Sequence, residues 1–150
     1  MKSHIVGETQ EGGMFVEYDV EKATRIAEMR PDERIVEDYD AIASDYAWAG
    51  SGLAYALDAL AEKDRELELL EAILRSTVIG VLLDAKEKAT EKAIHGEIVQ
   101  DAGYAEAVEA RDKAKLLVAL WKSAAKSVQL KADMLTSKGA HLRKELDSAV

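Results

Sequence analysis

Cysteine is absent from this chain of 150 residues, proline occurs once, and glycine and aromatic residues are scarce. Without cysteine there is neither a disulfide framework nor a thiolate zinc site. So little proline and glycine leaves few turns, and the abundance of Ala, Leu, Glu and Lys predicts an all-α fold. No apolar run approaches the roughly 20 residues of a membrane span, and the polar N-terminus has no apolar signal core. We therefore expect a cytoplasmic protein without membrane contact.

Sequence patterns for catalysis are also missing. No glycine-rich loop followed by Lys-Ser/Thr is present, so there is no phosphate cradle of the P-loop kind. His4, His95 and His141 are scattered, and the Glu-x-x-His pattern of di-iron bundles does not occur. The many carboxylates are spaced as on solvated helix faces. We expect no enzyme, no catalytic residues, no metal site and no cofactor.

Charge is unevenly distributed along the chain, whose formal net charge is −9. Residues 1–110 hold 11 Lys/Arg against 25 Asp/Glu, a net of −14, whereas residues 111–150 hold 9 against 4, a net of +5. The overall acidity argues against nucleic-acid binding. The basic C-terminal segment nevertheless predicts that one end of the molecule can bind an anionic polymer.

A heptad pattern predicts one long helix from residue 35 to residue 81. It continues in phase across Gly50-Ser51-Gly52, so we expect no break there despite the low helix propensity of glycine. One partner helix cannot cover so long an apolar seam, which predicts self-association. The positions of this predicted seam are Ile35, Tyr39, Ile42, Tyr46, Ala49, Leu53, Ala56, Leu60, Lys63, Leu67, Leu70, Leu74, Thr77 and Val81. Its larger apolar members are the candidate oligomerisation residues.

The remaining segments complete a helical hairpin. Residues 1–31 form an N-terminal arm, with an apolar Met14-Phe15-Val16 patch and a short helix from Val20 to Met29 that Pro31 ends. Asp32 is a suitable N-cap for the hairpin domain, residues 32–150. Residues 85–103 form a connector with a short helix capped by Thr90. A second long helix then runs from about Ala105 to Thr136, and two long helices joined in this way predict an antiparallel hairpin.

The second long helix has an apolar face and a basic stripe. The apolar face contains Leu117, Trp121, Ala124, Val128, Ala132 and Leu135, and places Trp121 in the core. Trp48, beside the predicted seam, is the better candidate for stacking on bases. From the residues alone, an ordinary solvated face is the favoured interpretation of the basic stripe, with phosphate contact as the alternative. It consists of Arg111, Lys115, Lys122 and Lys126, and Lys138, Arg143 and Lys144 continue the positive charge.

The order of segments from Thr90-Glu91, through Asp101-Ala102-Gly103-Tyr104 and the long helix, to Met134-Leu135 and Gly139-Ala140-His141-Leu142-Arg143 resembles phage recombination mediators of the UvsY type. The resemblance covers about 55 residues of the second half. It implies a phage-encoded protein of the host cytoplasm that binds single-stranded DNA and loads a recombinase during recombination and repair. It further implies a ring-like homo-oligomer that bridges DNA, recombinase and single-strand-binding protein.

One segment departs from that pattern. Resembling proteins carry basic residues before the connector, but here only Arg75 lies in the apolar stretch from Leu74 to Val81. Lys86, Lys88 and Lys92 in the connector are further candidate DNA contacts, although Glu87 and Glu91 lie among them and favour plain helix-end solvation. The alternative function is a coiled-coil phage assembly protein, a scaffold or chaperone. Salt-sensitive retention of DNA separates the two hypotheses.

Overall fold

The computed structural model describes residues 18–28, 30 and 35–148, except for the side chain at position 146, and these residues confirm the all-α class. The described part forms four helices, which are α1 (Val20–Ala27), α2 (Ile35–Asp84), α3 (Glu91–Gln100) and α4 (Ala102–Ser148). Residues 1–17 of the expected arm, which include the Met14-Phe15-Val16 patch, lie outside the described residues, as do Pro31 and the Asp32 cap.

Both long helices are continuous. Helix α2 spans 50 residues and passes through Gly50-Ser51-Gly52, as the unbroken heptad phase predicts. Helix α4 exceeds the predicted range at both ends, because it begins at Ala102 and continues past Gly139 to Ser148. Its early start has a local cause, since the Asp101 carboxylate accepts a hydrogen bond of 2.9 Å from the Tyr104 backbone N–H.

Side-chain caps define the short helices. Thr90 is the N-cap of α3, as expected, and its hydroxyl accepts a hydrogen bond from the Ala93 N–H. Helix α1 begins in the same way, with the Asp19 carboxylate accepting a hydrogen bond of 2.9 Å from the Lys22 N–H. Each cap satisfies one of the N–H groups that have no partner within a helix.

The chain divides into two compact units. Unit 1 contains α1, α2 up to Ala56 and α4 from Leu117. Its core joins one residue from each of these helices, Ile26, Ala49 and Val128, with Ile42 and other residues packed against them. In unit 1 Tyr39 donates a hydrogen bond to the Leu135 carbonyl, and Tyr46 donates one of 2.7 Å to Gln129 Oε1. Later residues of α2 thus meet earlier residues of α4, and the helices are antiparallel in this unit.

Unit 2, Leu57–Leu116, contains the rest of α2, α3 and the start of α4. Its core cluster joins Leu82 of α2 to Ile94 and Ile98 of α3, both at most 3% exposed. Leu74 and Tyr104 pack against this cluster. The apolar stretch before the connector is therefore explained in part by α3, which covers one side of it.

The buried face of α2 in unit 1 differs from the predicted seam at alternate positions. Ala49 and Ala56 are buried as expected. Between them and before them, however, the buried positions are Asp38, Asp45 and Gly52, whereas Tyr39 and Tyr46 are each 39% exposed and Leu53 is half-buried. Hydropathy selects the wrong member of each adjacent pair here, because charged residues and glycine occupy the inward positions.

Candidate nucleic-acid interface

Basic side chains of α4 in unit 1 are accessible to a ligand. Lys122 and Lys126 lie one helical turn apart, and both are exposed. Neither forms an ion pair within the described part of the chain. Farther along α4, Arg143 and Lys144 are exposed as well, and the Arg143 Nε donates a hydrogen bond of 3.1 Å to the Gly139 carbonyl. Lys138 is half-buried and has a partner.

The two α4 candidates in unit 2 differ in their surroundings. Lys115 is exposed and makes no ion pair with any described residue. Arg111 is half-buried, and its guanidinium lies 3.0 Å from the carboxylate of Asp112. The positive charge of Arg111 is therefore partly neutralised, whereas that of Lys115 is available to a phosphate.

The basic candidates in and before the connector, all in unit 2, differ in whether a carboxylate neutralises their charge. Lys86 has a φ of 57°, a left-handed conformation that is uncommon outside glycine, and it lies in the turn that follows α2. Lys86, Lys88 and Lys92 are exposed and form no ion pair with the described residues. Arg75 forms an ion pair with Glu91, the first residue of α3. Its charge helps to attach α3 to α2.

One lysine on α4 that the sequence analysis passed over is buried. Lys131 is 6% exposed, and its Nζ lies 2.8 Å from the Oδ1 of Asp38, which is fully buried. The same ammonium donates a hydrogen bond of 3.1 Å to the Glu28 carbonyl. Arg30 completes the arrangement by donating its backbone N–H to the Asp38 Oδ2 at 2.9 Å. This buried ion pair attaches the segment after α1 to both long helices of unit 1.

The surroundings of Asp38 decide its charge. Burial by itself would raise the pKa of this carboxyl. The hydrogen bond and charge of Lys131, with the backbone N–H and charge of Arg30, outweigh that effect and hold the pKa below its ordinary value. Asp38 is therefore ionised at neutral pH, and the Lys131 charge is used inside the protein, where it cannot reach DNA.

The two tryptophans lie together in unit 1. Trp121 is 1% exposed, as expected of a core residue, and its ring centroid is 4.7 Å from that of Trp48. Tyr18 packs edge-on against Trp121, with 5.1 Å between their ring centroids. The Lys22 ammonium lies 4.8 Å from the centroid of the Trp48 ring. Because Trp48 is half-buried among these neighbours, its ring is a poor platform for stacking on a base.

Two glycines lie where the packing of α2 against α4 leaves little room for a Cβ atom. A Cβ at Gly52 would overlap the Trp121 ring, so the glycine makes room for the tryptophan. A Cβ at Gly139 would come 2.8 Å from the Tyr39 hydroxyl, which donates to the Leu135 carbonyl. Gly139, which follows the predicted end of the helix at about Thr136, is thus a close-approach position inside α4.

The candidate oligomerisation residues are mostly covered within the chain. Ile35 and Leu67 are buried, with 8% and 6% exposure. Half-buried members are Ile42, Leu53, Leu60, Leu70 and Leu74, and the exposed members are Tyr39, Tyr46 and Val81. Most of the predicted seam is therefore at least partly covered within the chain, and its role in a contact between copies stays a prediction.

Sequence reasoning missed Asp38, Lys131 and Gly52, and of these only Lys131 has a clear periodic signal. Leu117, Trp121, Ala124 and Val128 alternate by four and three, and the next step of that pattern is Lys131, not Ala132. A lone charge at such a position indicates a buried, paired side chain, whereas Asp38 does not lie on the predicted seam of α2. Gly52 gives a weaker signal, because only the position of Trp121 explains it.

Three further findings concern metal binding, membrane crossing and similarity to known proteins. Within the described residues, no three His, Asp or Glu side chains are arranged to hold a metal ion. None of the helices in the described part of the chain has the length and apolarity that crossing a bilayer requires. Comparison with protein-family models, with curated proteins and with solved structures finds no match to this chain.

Proposed function

We propose that this protein binds single-stranded DNA and acts as a recombination mediator, a non-enzymatic homo-oligomer that helps load a recombinase onto DNA. The observation that supports it is the pair Lys122 and Lys126, which are exposed, adjacent on α4 and free of ion pairs with the described residues. Their neighbourhood, residues 111–150, has a net charge of +5, whereas residues 1–110 have a net charge of −14. The resemblance to mediators of the UvsY type supplies the biological role.

The proposed contact is with the phosphate backbone. Exposed lysines gain free energy chiefly from releasing the counterions condensed on nucleic acid, which makes binding independent of sequence and sensitive to salt. Stacking contributes little in this proposal, since Trp48 packs against Trp121 and Lys22. The net charge of −9 repels DNA and keeps the affinity of one protomer low. Repetition of the site in an oligomer, ring-like in this proposal, then supplies avidity.

The test compares two double variants that remove the same charge. Lys122→Gln with Lys126→Gln removes the free lysines and preserves side-chain length and helix propensity. The control, Lys63→Gln with Lys113→Gln, removes lysines that are already paired with Glu66 and Glu109 at 2.7 and 2.6 Å. We expect only the first variant to weaken binding of single-stranded DNA, and to lower the slope of log K against log salt by about 1.4, at 0.7 per phosphate.

The contrary results are also defined. Equal losses in the two variants would show that the effect is general electrostatics and that Lys122 and Lys126 are not contacts. No loss in either would remove this face of α4 from the proposal. The mediator role itself requires that the wild-type protein accelerate assembly of a recombinase on DNA coated with single-strand-binding protein.

The alternative, a non-enzymatic phage assembly protein of the scaffold or chaperone type, is favoured by one observation. Four large apolar side chains of α2 in unit 2, Leu69, Ile73, Val81 and Leu83, are more than half exposed. Exposed apolar residues at such density indicate a protein contact. Failure of the wild-type protein to retain single-stranded DNA at low salt would favour this alternative.

A further inference from the structure

Three exposed large apolar residues of α2 in unit 2, Leu69, Ile73 and Leu83, share one heptad with two small residues. Its positions alternate by four and three, and all are exposed. We name this surface the outer stripe, and it consists of Leu69, Ile73, Ser76, Gly80 and Leu83. It spans about 21 Å of helix at 1.5 Å per residue. A heptad repeat of this kind is the pattern by which one helix packs along another.

The outer stripe is distinct from the face that packs inside the chain. Leu67, Leu74 and Leu82 point inward, and the last two belong to the cluster around Ile94 and Ile98. By contrast, Leu69 is 64% exposed and Leu83 62% exposed. The two sets alternate along the same helix, so α2 presents one apolar face to the chain and a second to its surroundings.

We propose that the outer stripe is a self-association surface, on which the outer stripe of a second copy of this chain packs antiparallel. Pairing about a twofold axis between residues 74 and 75 brings Leu69 opposite Gly80 and Ile73 opposite Ser76. Each of these two layers contains one large and one small side chain, so the helices can approach closely and interdigitate there, whereas Leu83 lies opposite Glu66. No described atom lies within 4 Å of a Cβ built at Gly80, so space for Leu69 exists there.

Charge favours the same orientation. A parallel pair would place Glu62 and Glu66, the preceding heptad positions, each against its own copy, which is destabilising. The antiparallel pair separates these carboxylates by more than the length of the stripe. A twofold axis also makes the contact closed and self-complementary, as in most homodimers.

Thr77 brings no unsatisfied hydroxyl to the contact. The hydroxyl of Thr77, beside the stripe, already donates a hydrogen bond of 3.0 Å to the Ile73 carbonyl of its own helix. Its methyl group therefore faces the second copy at no cost in unsatisfied hydrogen bonds. A seam of this length buries less than the roughly 1,600 Å² of a standard interface, so we expect dissociation in the micromolar range.

The inference extends the self-association part of the proposed function, and its test uses no DNA, so either proposal can fail alone. Gly80→Leu fills the space that Leu69 of the second copy would occupy, whereas the rest of its own chain leaves that space open. Gly50→Leu is the matched control, because Gly50 is also an exposed glycine of α2 with nothing within 4 Å of its Cβ position. Both replacements favour the helix to a similar extent.

Sedimentation equilibrium of the full chain should show concentration-dependent association that Gly80→Leu weakens at least about tenfold and Gly50→Leu leaves unchanged. Ile73→Asp should weaken it more than about a hundredfold, since an unpaired carboxylate would enter the contact. Val36→Asp is its control, at an apolar residue 64% exposed outside the stripe. A monomeric wild-type protein, or equal association in Gly80→Leu and Gly50→Leu, would overturn the proposal.

Orientation has an independent readout, because the chain has no cysteine of its own. Glu66→Cys and Leu83→Cys lie opposite each other in the antiparallel pair. We expect a short bismaleimide to cross-link a mixture of these two single-cysteine proteins and neither protein alone. Cross-linking of each protein alone would indicate a parallel pair and reject the arrangement, even if Gly80→Leu were to fold poorly.

Discussion

Gly52 of α2 has no side chain, and this allows the Trp121 ring of α4 to pack against it in unit 1. The space above this glycine holds the ring of Trp121, which is 1% exposed. Glycine costs about 1 kcal/mol in a helix interior relative to alanine. The cost is offset here by burial of the largest side chain in the unit, and at no other glycine of the described chain would a Cβ meet a tryptophan ring.

We therefore expect Gly52→Ala to destabilise the protein although alanine favours helix. The added methyl must displace the Trp121 ring, an overpacking that costs about 1–3 kcal/mol. Gly50→Ala, at an open position two residues earlier, should instead stabilise by up to about 1 kcal/mol. Urea unfolding of both variants gives the comparison. A Gly52→Ala protein more stable than wild type would mean that the ring moves aside freely.

The buried pair of Asp38 and Lys131 makes a second residue-scale prediction, on pH. The Asp38 pKa is lower in the folded than in the unfolded protein, so its contribution is complete above the unfolded value, about 3.9. That contribution is lost as pH falls through the folded pKa. Asp38→Asn should cost about 3–5 kcal/mol at neutral pH, because Lys131 stays buried without a counter-charge.

The measurement is the free energy of unfolding as a function of pH. Wild type should lose stability on acidification below the ordinary Asp range, and Asp38→Asn should lose less over the same interval. Asp40→Asn, at an exposed position two residues later, should follow wild type. Parallel curves for all three proteins would show that the Asp38 carboxylate does not contribute to acid sensitivity.

At the scale of the helices, local rules account for what the sequence predicts correctly. The unbroken heptad phase gives the continuity of α2 across its glycines, and Thr90 gives the start of α3, because both depend on neighbouring residues alone. The heptad pattern does not predict that Asp38, Asp45 and Gly52 occupy inward positions of α2. What decides the buried side there is a partner on another helix, such as Lys131 or Trp121, which periodicity does not contain.

The cap of α3 gives an element-scale prediction. Thr90→Ala removes the hydroxyl that accepts from the Ala93 N–H and should destabilise unit 2 by about 1 kcal/mol. Thr136→Ala is the control, since that hydroxyl only donates to the Ala132 carbonyl of its own helix. Hydrogen exchange of the α3 amides should rise in the first variant alone. Equal protection in both would mean that packing of Ile94 and Ile98 suffices to hold α3.

For the whole molecule, the sequence predicts the all-α class and the uneven distribution of charge, but neither property identifies the side chains that are available to a ligand. The lysines of α4 cannot be distinguished by residue type, but their surroundings differ. Lys131 is buried, and the Lys113 Nζ lies 2.6 Å from the Glu109 carboxylate. Only Lys115, Lys122 and Lys126 remain exposed and unpaired among the described residues on this helix before residue 138. Tertiary placement, not composition, decides which charges are available.

The two proposals together predict how DNA length affects binding. If self-association supplies avidity, Ile73→Asp should weaken binding to long single strands by about tenfold or more. Binding to an oligonucleotide that spans one protomer should not change, because Ile73 is not one of the residues proposed to contact DNA. Filter binding at a fixed salt concentration tests both lengths. Equal loss on short and long strands would mean that the variant damages the DNA contact itself.

The pairing of Trp48 with Trp121 has a practical consequence for optical work. These are the only two tryptophans in the sequence, and both belong to unit 1. Intrinsic tryptophan fluorescence therefore reports on unit 1 alone, whereas far-ultraviolet circular dichroism responds to helices of both units. Without any label, coincidence of the two signals during unfolding tests whether the whole chain is one cooperative system.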